Sequence, residues 1–200
     1  SLTKHRWLLA HDENVAGAAK RFGVAEWIAY DLGADQVSEL SLASRTGWLD
    51  LRSATWDHDL LAWSGADPAL LGRLVTAGTP IGRARGHGDL AAVDGAVVTV
   101  AGHDHQVAAI GLGAYHPGDE FDSAGTAEAI LRTSAPDLPE AAVRDLTTAG
   151  VTVGHHAAPG RSEVGHVGHL QVAGNLVHHE GTHRVSVGVR GHPWRQHLAE

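Results

Sequence analysis

The chain has no cysteine and no methionine among its 200 residues, and only two phenylalanines and two tyrosines. Without cysteine there is no disulfide framework and no thiolate metal site, which fits a cytoplasmic enzyme. Without methionine there is no initiator residue, which points to processing, trimming or excision from a longer protein. Positive charge is scarce too. Lys+Arg of 15 against Asp+Glu of 23 gives a formal net charge of −8, which argues against a nucleic-acid partner held through its phosphates. No apolar run approaches the length of a membrane span, and no signal peptide precedes the first motif. The remainder is 43% hydrophobic, the composition of a globular protein long enough for one sizeable core or two small ones.

Periodicity divides the chain. Residues 5–31 read as helical from Trp7, Leu8, Val15, Ala18 and Ala19, resumed by Trp27, Ile28 and Tyr30 after Gly23. Asp12 or Asn14 suits an internal cap, and Gly33 a stop. Residues 55–76 read as a second helical pair, with Asp57 and Asp59 near its start and Asp67-Pro68 opening the next helix. Gly78–Gly95 is glycine-rich and loop-like, Ala96–Ala101 reads as a buried strand, and Phe121–Thr133 as a hairpin turning at Gly125. The tryptophans at 7, 27, 48, 56 and 63 are expected in the core, one or two of them available to line a pocket. Past Gly160 the chain changes character. Residues 155–200 hold nine of the 16 histidines (155, 156, 166, 169, 178, 179, 183, 192, 197) and show no clear period. Residues 162–200 are accordingly expected to be poorly ordered.

The chemistry concentrates in residues 95–131. The run Ala96–Ala101 ends in Gly102-His103-Asp104-His105, and after Pro117-Gly118 a second strand-like run reaches Asp122-Ser123-Ala124-Gly125-Thr126-Ala127-Glu128. An acid at the end of a strand can act as a general base. A Ser/Gly/Thr turn offers N–H groups and hydroxyls to phosphate. Taken alone, Asp104 reads at least as readily as the cap of the next helix, and Ser123, Gly125 and Thr126 as a plain hairpin turn. Glu128 reads equally as a strand residue or as one reaching the cleft.

Six pieces in order decide between these readings. They are Lys4-His5-Arg6-Trp7-Leu8, Val24–Tyr30 ahead of Leu32-Gly33-Ala34, Ser41-Leu42-Ala43-Ser44-Arg45-Thr46 with Asp50, Gly78-Thr79-Pro80-Ile81-Gly82, and the two motifs just quoted. Together they resemble the FGGY carbohydrate kinases, the sugar kinases that include the xylulose and glycerol kinases. The resemblance covers residues 2–160. It implies an α/β architecture of the actin-like ATPase (ribonuclease H-like) type, in which two domains clasp ATP and sugar. This chain would carry the later part of the first domain (1–115) and the start of the second (118–160), followed by a divergent histidine-rich tail (161–200). It implies Asp104 as catalytic base, His105 and Glu128 toward the substrate, and Ser123, Gly125 and Thr126 toward the ATP phosphates. His103 is assigned to packing or hydrogen bonding behind the site, and the Ser44–Thr46 segment to a structural role. The partners implied are ATP, Mg²⁺ and a small sugar or polyol, with no membrane partner and with a homodimer left open.

Two family motifs have no match. No Asp-x-Gly-Thr precedes Leu2, and no adenosine-binding glycine motif follows residue 160, so the chain as it stands is expected to be a fragment whose own activity is in question. The rival reading is a non-catalytic kinase remnant or a histidine-rich metal-binding or interaction module. His179-Glu180-Gly181-Thr182-His183 fits the H-E-x-x-H zinc pattern literally, but Gly181 inside it and the alternating run after it oppose the helix that pattern needs.

Overall fold

The computed structural model describes residues 1–123, 128–134, 139–148, 151–154 and 168–174. Local signals set the helices. α1 (Leu2–His11) gives way to the short α2 (Glu13–Ala16), whose cap is Asp12, its Oδ1 accepting Asn14 N–H at 3.0 Å. The expected run over 5–31 is broken between Gly17 and Gly23, before α3 (Val24–Asp31). Glu26, three residues past the Gly23 cap, accepts the Gly23 N–H at 2.8 Å, the back half of a capping box. Gly33, at φ 99°, ends α3 in the left-handed region that a non-glycine residue avoids.

After α3 come β1 (Val37–Glu39), the single turn α4 (Leu40–Ala43), and a small antiparallel pair, β2 (Leu49–Asp50) and β3 (Thr55–Trp56). α5 (His58–Ser64) is capped by Asp57, and Asp67 caps a 3-10 turn at Pro68–Leu70. The second half of the helical pair expected over 55–76 is therefore one turn only. It is followed by β4 (Arg73–Val75), which pairs in parallel with β1. β5 (Gly82–Arg83) pairs antiparallel with β6 (Val97–Val98) across a connection holding a 3-10 turn at Gly88–Val93.

The strand expected over Ala96–Ala101 is regular at Val97–Val98 alone and lies at no sheet centre. Its backbone nonetheless stays tied to the preceding segment. Ala84 N–H donates to Ala96 O, Ile81 N–H to Val98 O and Gly78 N–H to Val100 O, at 2.8–3.0 Å. Pro80 has no N–H to give this ladder, which accounts for its irregularity. Ala29, Ala34, Val37, Val75, Ile81 and Val100 form one core cluster, gathering α3, β1, β4 and both arms of the ladder. A second cluster joins Trp48, Leu61 and Ala66. The expected tryptophan core is only partly present. Trp48 has no exposure and Trp56 packs against the second cluster and against a third one of Leu40, Ala43 and Leu49, but Trp7, Trp27 and Trp63 are 57%, 56% and 54% exposed.

α6 (Asp104–Gly111) leads to a four-stranded antiparallel sheet of β7 (Glu120–Ser123), β8 (Glu128–Ser134), β9 (Val151–Gly154) and β10 (Gly168–Gly174), in the order β7-β8-β10-β9, with α7 (Glu140–Thr148) between β8 and β9 in sequence. β7 and β8 pair as the expected hairpin, Ser123 opposite Ala129, and Ala129, Leu131 and Thr133 alternate inward along β8. The expectation of disorder past residue 161 fails at Gly168–Gly174. That segment is a full strand, Val172 pairing with both Ile130 and Val151.

Candidate functional site

Asp104 is the first residue of α6, one place past the cap residue His103. Its Oδ1 accepts the His105 N–H at 2.8 Å, and its side chain is 82% exposed. It lines an open cleft of about 470 Å³ with Ala25, Thr99, Val100, Gly102, Val107 and Ala108, and among the described residues no other ionisable side chain lies on that wall. The carboxylate thus stands at a helix N-terminus, where the backbone favours negative charge, over a floor of small apolar groups. Neither β6 nor a sheet centre brings it there; the irregular stretch 99–103 does.

The two neighbouring histidines differ in role. The His103 backbone N–H donates to Ser41 Oγ at 2.8 Å, and its half-buried ring sits 5.5 Å from that of His105, edge to face. His103 Nδ1 is 3.0 Å from Asp104 Oδ1 without the alignment of a hydrogen bond. Burial, and then the nearby Arg45 guanidinium, hold His103 below the ordinary imidazole value, so near neutral pH it is an uncharged neighbour of Asp104 rather than its counter-ion. His105 is partly buried, and its Nδ1 has no hydrogen bond among the described residues.

Arg45 is the cation that sequence reasoning left in a structural segment. Burial lowers its pKa and the Asp104 carboxylate pulls it back up, so it shares the electrostatic surroundings of Asp104. The structure also holds a buried acid pair. Glu26 and Glu39 are both pushed above the ordinary carboxylate value, first by burial, against the opposing pull of their hydrogen bonds. No spacing signal marks either one. Their signal is tertiary: Glu39 N–H donates to Glu26 Oε1 at 2.8 Å.

His103, Asp104 and His105 each bring one ligand atom to within 4.8 Å of the others. That N/O/N set does not suit Mg²⁺, which takes oxygen ligands in octahedral geometry, and the helix N-terminus and Arg45 both oppose a cation there. Of the residues expected to face phosphate, Ser123 ends β7, and Gly125 and Thr126 lie outside the described residues; Glu128 opens β8. The H-E-x-x-H stretch also lies outside them. No helix among the described residues is long and apolar enough to cross a membrane.

Comparison with known proteins agrees with the residue pattern. The model of the N-terminal domain of the FGGY family of carbohydrate kinases matches residues 1–111. The chain is 30% identical over 161 residues to a glycerol kinase of Rhizorhabdus wittichii, matching 74% of this chain and 30% of that protein. It is 34% identical over 128 residues to a xylulose kinase of Streptomyces coelicolor, with 63% and 26% covered. It therefore spans under a third of the length of these relatives. The Plasmodium falciparum glycerol kinase solved with ADP superposes on 86% of this chain and 34% of its own length, with a TM-score of 0.72 at 15% identity, which gives this chain the actin-like α/β fold. With the N-terminal-domain match spanning more than half its length, the chain belongs to the FGGY family of carbohydrate kinases.

Proposed function

We propose that this chain carries the base-bearing part of an ATP-dependent kinase acting on a sugar or polyol hydroxyl. The observation that carries the reading is the exposed Asp104 carboxylate, the one ionisable group among the described residues on the wall of the cleft of about 470 Å³. Asp104 accepts the hydroxyl proton as the substrate oxygen bonds to the γ-phosphorus of ATP and the bond to the bridging oxygen breaks, releasing ADP. Phosphoryl transfer depends mostly on positioning and charge stabilisation, so a single carboxylate is enough base. His105, next to it and partly open, is assigned to a substrate hydroxyl. Glu128 is assigned to the substrate, and Ser123, Gly125 and Thr126 to the phosphates. Mg²⁺ is assigned to the nucleotide and not to the His103–His105 group, whose donors do not fit it. The division at about residue 115 and a cytoplasmic location belong to the same reading, which leaves a homodimer open.

The test is a coupled ADP-release screen of the protein against ketoses and polyols, run beside Asp104→Asn. Loss of roughly 10²–10⁴-fold in turnover with the fold retained is expected, since that is what a positioned general base contributes. A loss under about tenfold removes Asp104 from the role.

A further inference from the structure

The turn that delivers Asp104 to the cleft is anchored by a buried pair 62 residues away in sequence. Glu39 and Ser41 are both fully buried. Glu39 is the cap of α4, and its Oε2 accepts Ser41 N–H at 2.9 Å and Leu42 N–H at 3.2 Å, which already satisfies the start of that helix. The same oxygen also accepts the Ser41 hydroxyl. A serine hydroxyl has one proton. With that proton given to Glu39, Ser41 Oγ meets its remaining neighbour as an acceptor, and the neighbour is the His103 N–H at 2.8 Å. The polarity of the chain from Glu39 through Ser41 to His103 is thereby fixed.

Gly102 shows how closely the turn lies on this pair. A Cβ there would sit 2.6 Å from Ser41 Oγ and 3.2 Å from Glu39 Oε2, and the residue holds φ 119°. Glu39 is itself held by its N–H to Glu26, whose other oxygen takes the Gly23 N–H at the start of α3. α3 supplies Ala25 to the lining of the same cleft. One buried network thus ties α3 to the Gly102 turn, both of which line the cleft, while neither Glu39 nor Ser41 lines it. A cap alone needs only the two backbone N–H groups. The hydroxyl link to a turn 62 residues on is a tertiary tether.

We propose that Ser41, oriented by Glu39, is a positioning residue for Asp104: it fixes the Gly102–Asp104 turn, and with it the place of the base at the cleft. This rests on the assignment of Asp104 above. The experiment compares Ser41→Ala, Ser41→Thr, Glu39→Gln and Asp104→Asn in the full chain, by turnover and by the ¹⁵N-resolved amide signal of His103. Ser41→Ala is expected to lower kcat on the order of tenfold to a hundredfold, the cost of a misplaced catalytic group, with little change in KM for ATP. The His103 amide should move upfield and exchange faster. Ser41→Thr, which keeps the hydroxyl, should restore both; Glu39→Gln, which keeps the helix cap, should reproduce part of the loss, and stands in where Ser41→Thr does not fold. A His103 amide unmoved by Ser41→Ala, or an unchanged kcat where Asp104→Asn abolishes turnover, overturns the proposal. If Asp104→Asn keeps its turnover, the base assignment falls on its own account, and the amide signal alone decides whether Ser41 holds the turn.

Discussion

Trp48 is fully buried, and its indole N–H donates to Ser64 Oγ at 2.8 Å, whose hydroxyl passes to Leu61 O at 2.9 Å. Arg21 lies over one face of the ring at 4.4 Å and His5 meets it edge-on at 5.3 Å. Trp48→Phe removes the donor and leaves a gap, and is expected to cost about 1–3 kcal/mol in urea unfolding. Trp27→Phe, on an exposed face, should stay within about 0.5 kcal/mol. Equal effects of the two would show that burial does not separate them. At this scale the sequence is a partial guide. The place of Asp104 at the cleft is legible because a carboxylate between two histidines after a glycine is unusual and falls among ordered family motifs. The tryptophans are not sorted by the sequence, since helical spacing marks an apolar face without saying what covers it. Glu39 is invisible for a similar reason: an acid after Val37-Ser38 reads as a surface residue until its partners arrive from α3 and the Gly102 turn.

The helices were legible where their signals are local. Asp12, Asp57 and Asp67 cap as their positions suggest, and Gly33 stops α3, because each needs only its neighbours within four residues. The parallel pair β1–β4 was not. Three residues each, with partners 36 positions apart in the register Val37 to Arg73, they are too short for a period and depend on tertiary pairing. Gly72 is what lets them meet. A Cβ at Gly72 would fall 2.5–2.7 Å from the Val37 backbone, with no side chain that could yield. Gly72→Ala is therefore expected to cost at least about 1–3 kcal/mol, the usual penalty of overpacking, with exchange protection lost over Val37–Glu39. Full protection there would mean the strands part and repack without cost.

Taken whole, the molecule closes its four-stranded sheet with its last described strand. β10 lies between β8 and β9, so ending the chain at Gly160 removes not an edge but an inner strand. Exchange protection of the β8 amides that face β10 is expected to fall in such a truncated chain; unchanged protection would show that β7–β8 stands alone. The sequence pattern missed this strand because Gly168–Gly174 carries two glycines and a histidine, and its partners lie in segments more than ten residues away on either register. The same order has a meaning for biosynthesis. β8 leaves the ribosome 40 residues before β10 is complete, since 174 − 134 = 40, which at typical elongation speeds is roughly 2–8 s. Throughout that interval the β8 side destined for β10 is an unpaired rim, open to any other nascent chain. A pause in translation between codons 134 and 174 would lengthen that exposure, so codon choice there bears on yield without altering a single side chain.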